Sequence, residues 1–96
     1  MKAEEFWNKV YDILVEECQA WNGEHDRAAF VGEQVREAPR EWRFCGSLGF
    51  GGKFWRNADR MYVNCYQEDE TPSRLLTIKR ANKRLDKLRK KARMDS

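Results

Sequence analysis

The chain has 96 residues, 41% of them hydrophobic and 36% charged, with a formal net charge of +3 at pH 7. That balance is globular and excludes disorder over residues 1–78. The longest apolar runs, Ile13-Leu14-Val15 and Ala28-Ala29-Phe30-Val31, are far too short for a membrane-spanning helix. The opening Met1-Lys2-Ala3-Glu4-Glu5 has neither the basic nor the apolar region of a secretory signal, so a cytoplasmic (intracellular) location is expected.

Residues 3–21 are predicted to form a helix. Phe6, Trp7, Val10, Tyr11, Ile13, Leu14, Cys18 and Trp21 recur at three- and four-residue steps, with Asn22-Gly23 as the stop. A second helix is expected over 26–37, capped by Asp26 and ended by Pro39. Its apolar stripe would be Ala28, Val31, Val35 and Ala38, with Phe30 beside it.

From residue 41 the period changes to two. Trp42, Phe44, Leu48 and Phe50 alternate with Arg43, Cys45 and Ser47, Lys53 to Arg56 runs extended, and Arg60 to Tyr66 alternates again. Asn57-Ala58-Asp59 suits a hairpin loop. Residues 72–92 read as a third helix with Thr71 as N-cap, Pro72 in its first turn, Glu68, Asp69 and Glu70 at its positive end, and a narrow apolar stripe of Leu75, Ile78, Ala81, Leu85, Leu88 and Ala92. Because that stripe is narrow, the last turns are expected to project from the body. The expected fold is a single α+β domain over residues 1–96, in the order α-α-β-β-β-α, with a three-stranded antiparallel meander packed on helices. Its ordered body covers about 3–88, and residues 93–96 form a frayed tail.

Charge is unevenly placed. Residues 1–38 hold four bases against nine acids, residues 39–70 five against five, and residues 71–96 ten against two. A basic end of this density points to a polyanion or an acidic protein surface. The simpler reading is a solvated helix partly neutralised by the acidic first helix.

Motifs for chemistry are weak. Gly46-Ser47-Leu48-Gly49-Phe50-Gly51-Gly52-Lys53 lacks the glycine spacing and the hydroxyl of a phosphate loop and reads as a turn or bulge. Cys18, Cys45 and Cys65 form no close pair, so free thiols are expected and no metal or cofactor is implied. His25 is the only histidine, and nothing in the spacing couples it to a thiol. No enzymatic constellation is recognised.

The leading expectation is therefore a non-catalytic binding protein that engages nucleic acid or a nucleoprotein complex. The basic helix would supply Lys79, Arg80, Lys83, Arg84, Lys87, Arg89, Lys90 and Lys91. An aromatic sheet face would supply Trp55, Tyr62 and Tyr66 among Arg43, Lys53, Arg56 and Arg60. The alternative is a small protein–protein inhibitor or adaptor of the phage or mobile-element accessory type, docking on a host nucleoprotein enzyme or another acidic surface. A third reading is a homodimer through the Ile78, Leu85, Leu88 seam. No membrane partner is expected. The sheet itself leaves two possibilities: helices cover both faces, or one face displays its aromatics.

Overall fold

The computed structural model describes residues 1–21 and 26–94. Three helices, α1 (Ala3–Cys18), α2 (Arg27–Arg36) and α3 (Pro72–Met94), accompany three strands, β1 (Arg43–Ser47), β2 (Lys53–Asn57) and β3 (Arg60–Asn64). The strands form one antiparallel sheet in the order β1-β2-β3. This is the α+β order expected from the sequence. Among the described residues no helix is long and apolar enough to cross a membrane.

The wide apolar face of α1 makes it the centre of the core. Val10, Leu14 and Cys18 are buried with Phe54, Val63, Ala81 and Leu85 of the sheet and α3. The helix ends at Cys18, three residues before the expected end. Gln19 adopts the left-handed conformation at φ 50°, and the Ala20 amide donates back to the Leu14 carbonyl at 3.2 Å. That early stop turns Trp21 inward. Its ring stacks on Tyr11 at 5.1 Å and meets Phe30 of α2 at 4.7 Å, and Phe30 in turn meets Phe54 of β2 at 6.4 Å. The expected stop at Asn22-Gly23, and His25, lie outside the described residues.

The Asp26 carboxylate accepts from the Ala28 amide at 2.9 Å and starts α2. The buried face of α2 is Phe30, Val31 and Gln34, whereas Val35 and Ala28 are exposed. The expected stripe is thus rotated, because burying the Phe30 ring removes more apolar area from water than burying Val35.

The glycine-rich segment is a tight connection between β1 and β2, closed by Gly51 N–H to Leu48 C=O and Leu48 N–H to Gly52 C=O at 3.0 and 2.9 Å. Gly49 has to be glycine: a Cβ there would stand 2.6 Å from the Gln19 carbonyl oxygen. A bulge at Cys45 shifts the β1–β2 register between Phe44 and Gly46.

Thr71 caps α3, its hydroxyl accepting from the Arg74 amide at 3.2 Å. The helix packs on α1 and lies along β3. The Asn82 side chain accepts from Val63 N–H at 2.6 Å and donates to Val63 C=O at 3.0 Å. It takes the place of a neighbouring strand and closes the outer edge of β3. The last turns do not project as expected: Ala92 packs on the core and Arg93 reaches Asp59 in the β2–β3 turn at 3.0 Å. The seam considered for self-association is also spent internally. Leu85 and Leu88 are buried and the partly buried Ile78 packs against the same core, so these side chains are used within the described fold.

Candidate binding surface

Phe54 and Arg56 face the helices, meeting Phe30 and Gln34 of α2 and Trp7 of α1, Val63 is buried in the same core, and α3 lies along β3. The strand period of two sends alternate side chains to the other face. Phe44 of β1 pairs with Trp55 of β2, which pairs with Tyr62 of β3, so each strand contributes one aromatic to a single row. The Trp55 and Tyr62 rings are stacked at 6.4 Å, and Phe44 meets Trp55 edge-on at 5.6 Å. Trp42, just ahead of β1, continues the row by meeting Tyr62 edge-on at 4.9 Å.

Polar and charged groups frame these rings. The Trp55 Nε1–H donates to Asn64 Oδ1 at 3.0 Å, which fixes the indole plane. Lys53 hydrogen-bonds the Tyr66 hydroxyl and lies 4.0 Å over the Tyr66 ring, and Arg60 lies 5.5 Å from the Trp42 ring. Trp42, Phe44 and Tyr66 remain 40%, 48% and 53% exposed, while Trp55 and Tyr62 are half-buried by their neighbours. The result is a preformed aromatic platform with a cation at each end.

The second part of the surface is the outer side of α3. At 3.6 residues per turn, Lys79, Arg80, Lys83, Lys87, Lys90 and Lys91 share about a third of the circumference, opposite Ala81, Leu85, Leu88 and Ala92. This ridge is about 18 Å long at 1.5 Å per residue. Among the described residues Lys79, Arg80, Lys83, Lys87 and Lys91 have no carboxylate within salt-bridge range, so their charges face solvent.

Other cations of α3 are committed within the molecule. Arg84 bridges Glu16 and Glu17 of α1 at 2.9 and 3.0 Å. Arg89 and Lys90 both pair with Asp86, at 2.9 and 3.1 Å. The hydrogen bond from Lys90 holds the Asp86 carboxyl below its usual range.

The structure separates the residues expected to bind. Trp55, Tyr62, Tyr66 and Arg60 come together on the open sheet face. Lys79, Arg80, Lys83, Lys87, Lys90 and Lys91 come together on the ridge. Arg84 and Arg89 are turned to carboxylates of the same chain. Arg56 is a correction: it is only 4% exposed and points to the helices, where it lies 4.1 Å from the Trp7 ring. Its phase along β2 is that of Phe54, the core residue of the strand, so it cannot share a face with Trp55.

Sequence reading left Phe44, Trp42 and Asn64 out of the site. The alternation around Phe44 was visible, but the Cys45 bulge hides its pairing with Trp55.

The thiols lie apart from this surface as unpaired cysteines. Burial pushes the Cys18 thiol up to about 12, and burial also raises Cys45. Against protein families, curated proteins and solved structures alike, the chain gives no match.

Proposed function

We propose that this protein is a non-catalytic binding protein whose target is nucleic acid, alone or within a nucleoprotein complex. The observation that carries the reading is the row Phe44, Trp55, Tyr62 on an uncovered sheet face, beside an edge strand whose covering helix bears five cations with no carboxylate partner among the described residues. Each part suits a different portion of a strand. Ring faces stack on unpaired bases without demanding a sequence, and lysines spaced along a helix neutralise phosphates. Base stacking needs the bases unpaired, so single strands are the favoured form. Three unpaired thiols suit a reducing cytoplasm.

Binding of a labelled single-stranded oligonucleotide tests the reading. Phe44→Ala combined with Tyr66→Ala removes two side chains that are about half exposed. The fold is expected to remain and affinity to fall by about 1–3 kcal/mol per stacked base. An unchanged affinity would remove the sheet face from the reading.

A second reading, a small inhibitor or adaptor that docks on another protein, draws on Leu75 and Leu76. These are 45% and 48% exposed in the first turns of α3. Exposed apolar side chains, together with the Trp- and Tyr-rich sheet face, have the composition of protein-binding hot spots. Its mark is a stoichiometric complex that resists salt and is lost with Leu76→Asp. The nucleic-acid reading predicts that Leu76→Asp leaves oligonucleotide affinity within twofold.

A further inference from the structure

We propose that the cleft between the amino-terminal end of α1, α2 and the β2–β3 turn is a binding site for a small anionic ligand, a carboxylate or phosphate carried on an apolar body, received by the Arg56 guanidinium. The cleft has a volume of about 410 Å³, within the range of small-molecule sites. Phe6, Trp7, Val35 and Ala38 supply apolar walls, and Arg56 and Gln34 line it as well. It belongs to the helix-covered side of the sheet and is independent of the aromatic platform.

Arg56 is an unusual wall residue. It is almost fully buried, yet its partners are all neutral. Nε donates to the Ala58 carbonyl at 3.0 Å, and Nη1 donates to the Gln34 carbonyl and to Gln34 Oε1 at 3.0 and 2.7 Å. The Trp7 ring, 4.1 Å away, favours the cation but does not neutralise it. Among the described residues no carboxylate forms a salt bridge with Arg56. The two acids at the cleft are already taken: Glu37 pairs with Arg43 and Asp59 with Arg93. Nε and Nη1 make these bonds, and Nη2, which has no acceptor among the described residues and is not sealed from solvent, keeps its two N–H groups for a ligand in the cleft that Arg56 lines.

A buried charge is ordinarily paired, because desolvation is costly and the missing Coulomb partner is worth most where water is excluded. Burial lowers the Arg56 pKa and the nearby Arg43 charge acts the same way, while the Glu37 and Asp59 charges act against it without closing a salt bridge. An anion entering the cleft supplies a paired charge and accepts from Nη2, the geometry in which arginine binds carboxylates and phosphates. The apolar walls set the second requirement. Inorganic phosphate satisfies the arginine alone, whereas an aromatic or aliphatic acid also covers Phe6, Val35 and Ala38.

The test is a titration of the whole protein with phenylacetate, phenyl phosphate and the neutral phenylacetamide, followed by proton–nitrogen NMR. The four tryptophan indoles serve as separate reporters. The expected result is a saturable shift of the Trp7 indole and of the Val35 and Ala38 amides with at least one of the two anions. The Trp42 and Trp55 indoles should not move, and the amide should bind at least tenfold more weakly. Arg56→Met removes hydrogen bonds that hold the fold, so the blocking variant is Ala38→Trp, placed at an exposed position on the cleft wall. It should abolish the shifts at an unchanged melting temperature. No saturable shift with either anion, equal binding of acid and amide, or shifts that persist in Ala38→Trp would each overturn the proposal.

Discussion

Arg56 and Lys83 are both basic residues in a basic protein, and they do opposite things. Lys83 stands on the ridge in solvent, whereas the buried Arg56 ties Gln34 of α2 and the Ala58 carbonyl of the β2–β3 turn together and lies over the Trp7 ring. Arg56→Ala removes three hydrogen bonds and a ring contact, and should cost about 2–4 kcal/mol in denaturant unfolding. Lys83→Ala should stay within about 0.5 kcal/mol. Charge alone cannot tell the two apart, but phase can: Arg56 alternates with Trp55 and matches Phe54. Cys18 gives a second prediction at this scale. Its thiol has a folded pKa of about 12 against an ordinary 9.0. Folding therefore favours the protonated thiol. Its contribution is fully present below pH 9 and is lost as pH rises from there toward 12. Melting temperature should fall over that window, and less steeply in Cys18→Ala than in the parent chain. An identical slope in the two would show that another group sets the alkaline limit.

Among the elements, α1 and α3 were the most legible. Their apolar positions recur at helical spacing, and Thr71-Pro72 marks the start of α3 by chemistry local to the chain. The partners of each element were not legible. The α3 stripe reads equally as a seam for a second copy or as core. Only the packing of Leu85 on α1 and the sheet decides it. The β1 strand was visible by alternation, but its register was not, because a single inserted residue at Cys45 resets the phase. Nor does any local signal announce that Asn82 would bond both backbone groups of Val63 across the strand edge. Asn82→Leu leaves those groups without their partner and should destabilise the fold by about 1–3 kcal/mol. Amide exchange should accelerate first at Val63. Unchanged protection there would mean that the edge is held by the α3 core contacts alone.

For the whole molecule, the charge asymmetry along the chain becomes an asymmetry in space. The acidic α1 holds Arg84 of α3 through Glu16 and Glu17, and Lys79, Arg80, Lys83, Lys87 and Lys91 of the outer ridge have no carboxylate partner among the described residues. The helices cover one sheet face and leave the aromatic one open, one of the two possibilities that alternation alone could not resolve. We propose that the open face and the α3 ridge together bind single-stranded nucleic acid. The most direct measurement is the affinity for a labelled single-stranded oligonucleotide as a function of salt. With five ridge cations each neutralising one phosphate, log K should fall against log salt with a slope of about −3 to −4. Lys79, Lys83, Lys87 and Lys91 changed together to Glu should abolish binding without unfolding the protein, since none of them pairs within the described fold. No binding at low salt, or an affinity indifferent to salt, would overturn nucleic-acid binding by this surface.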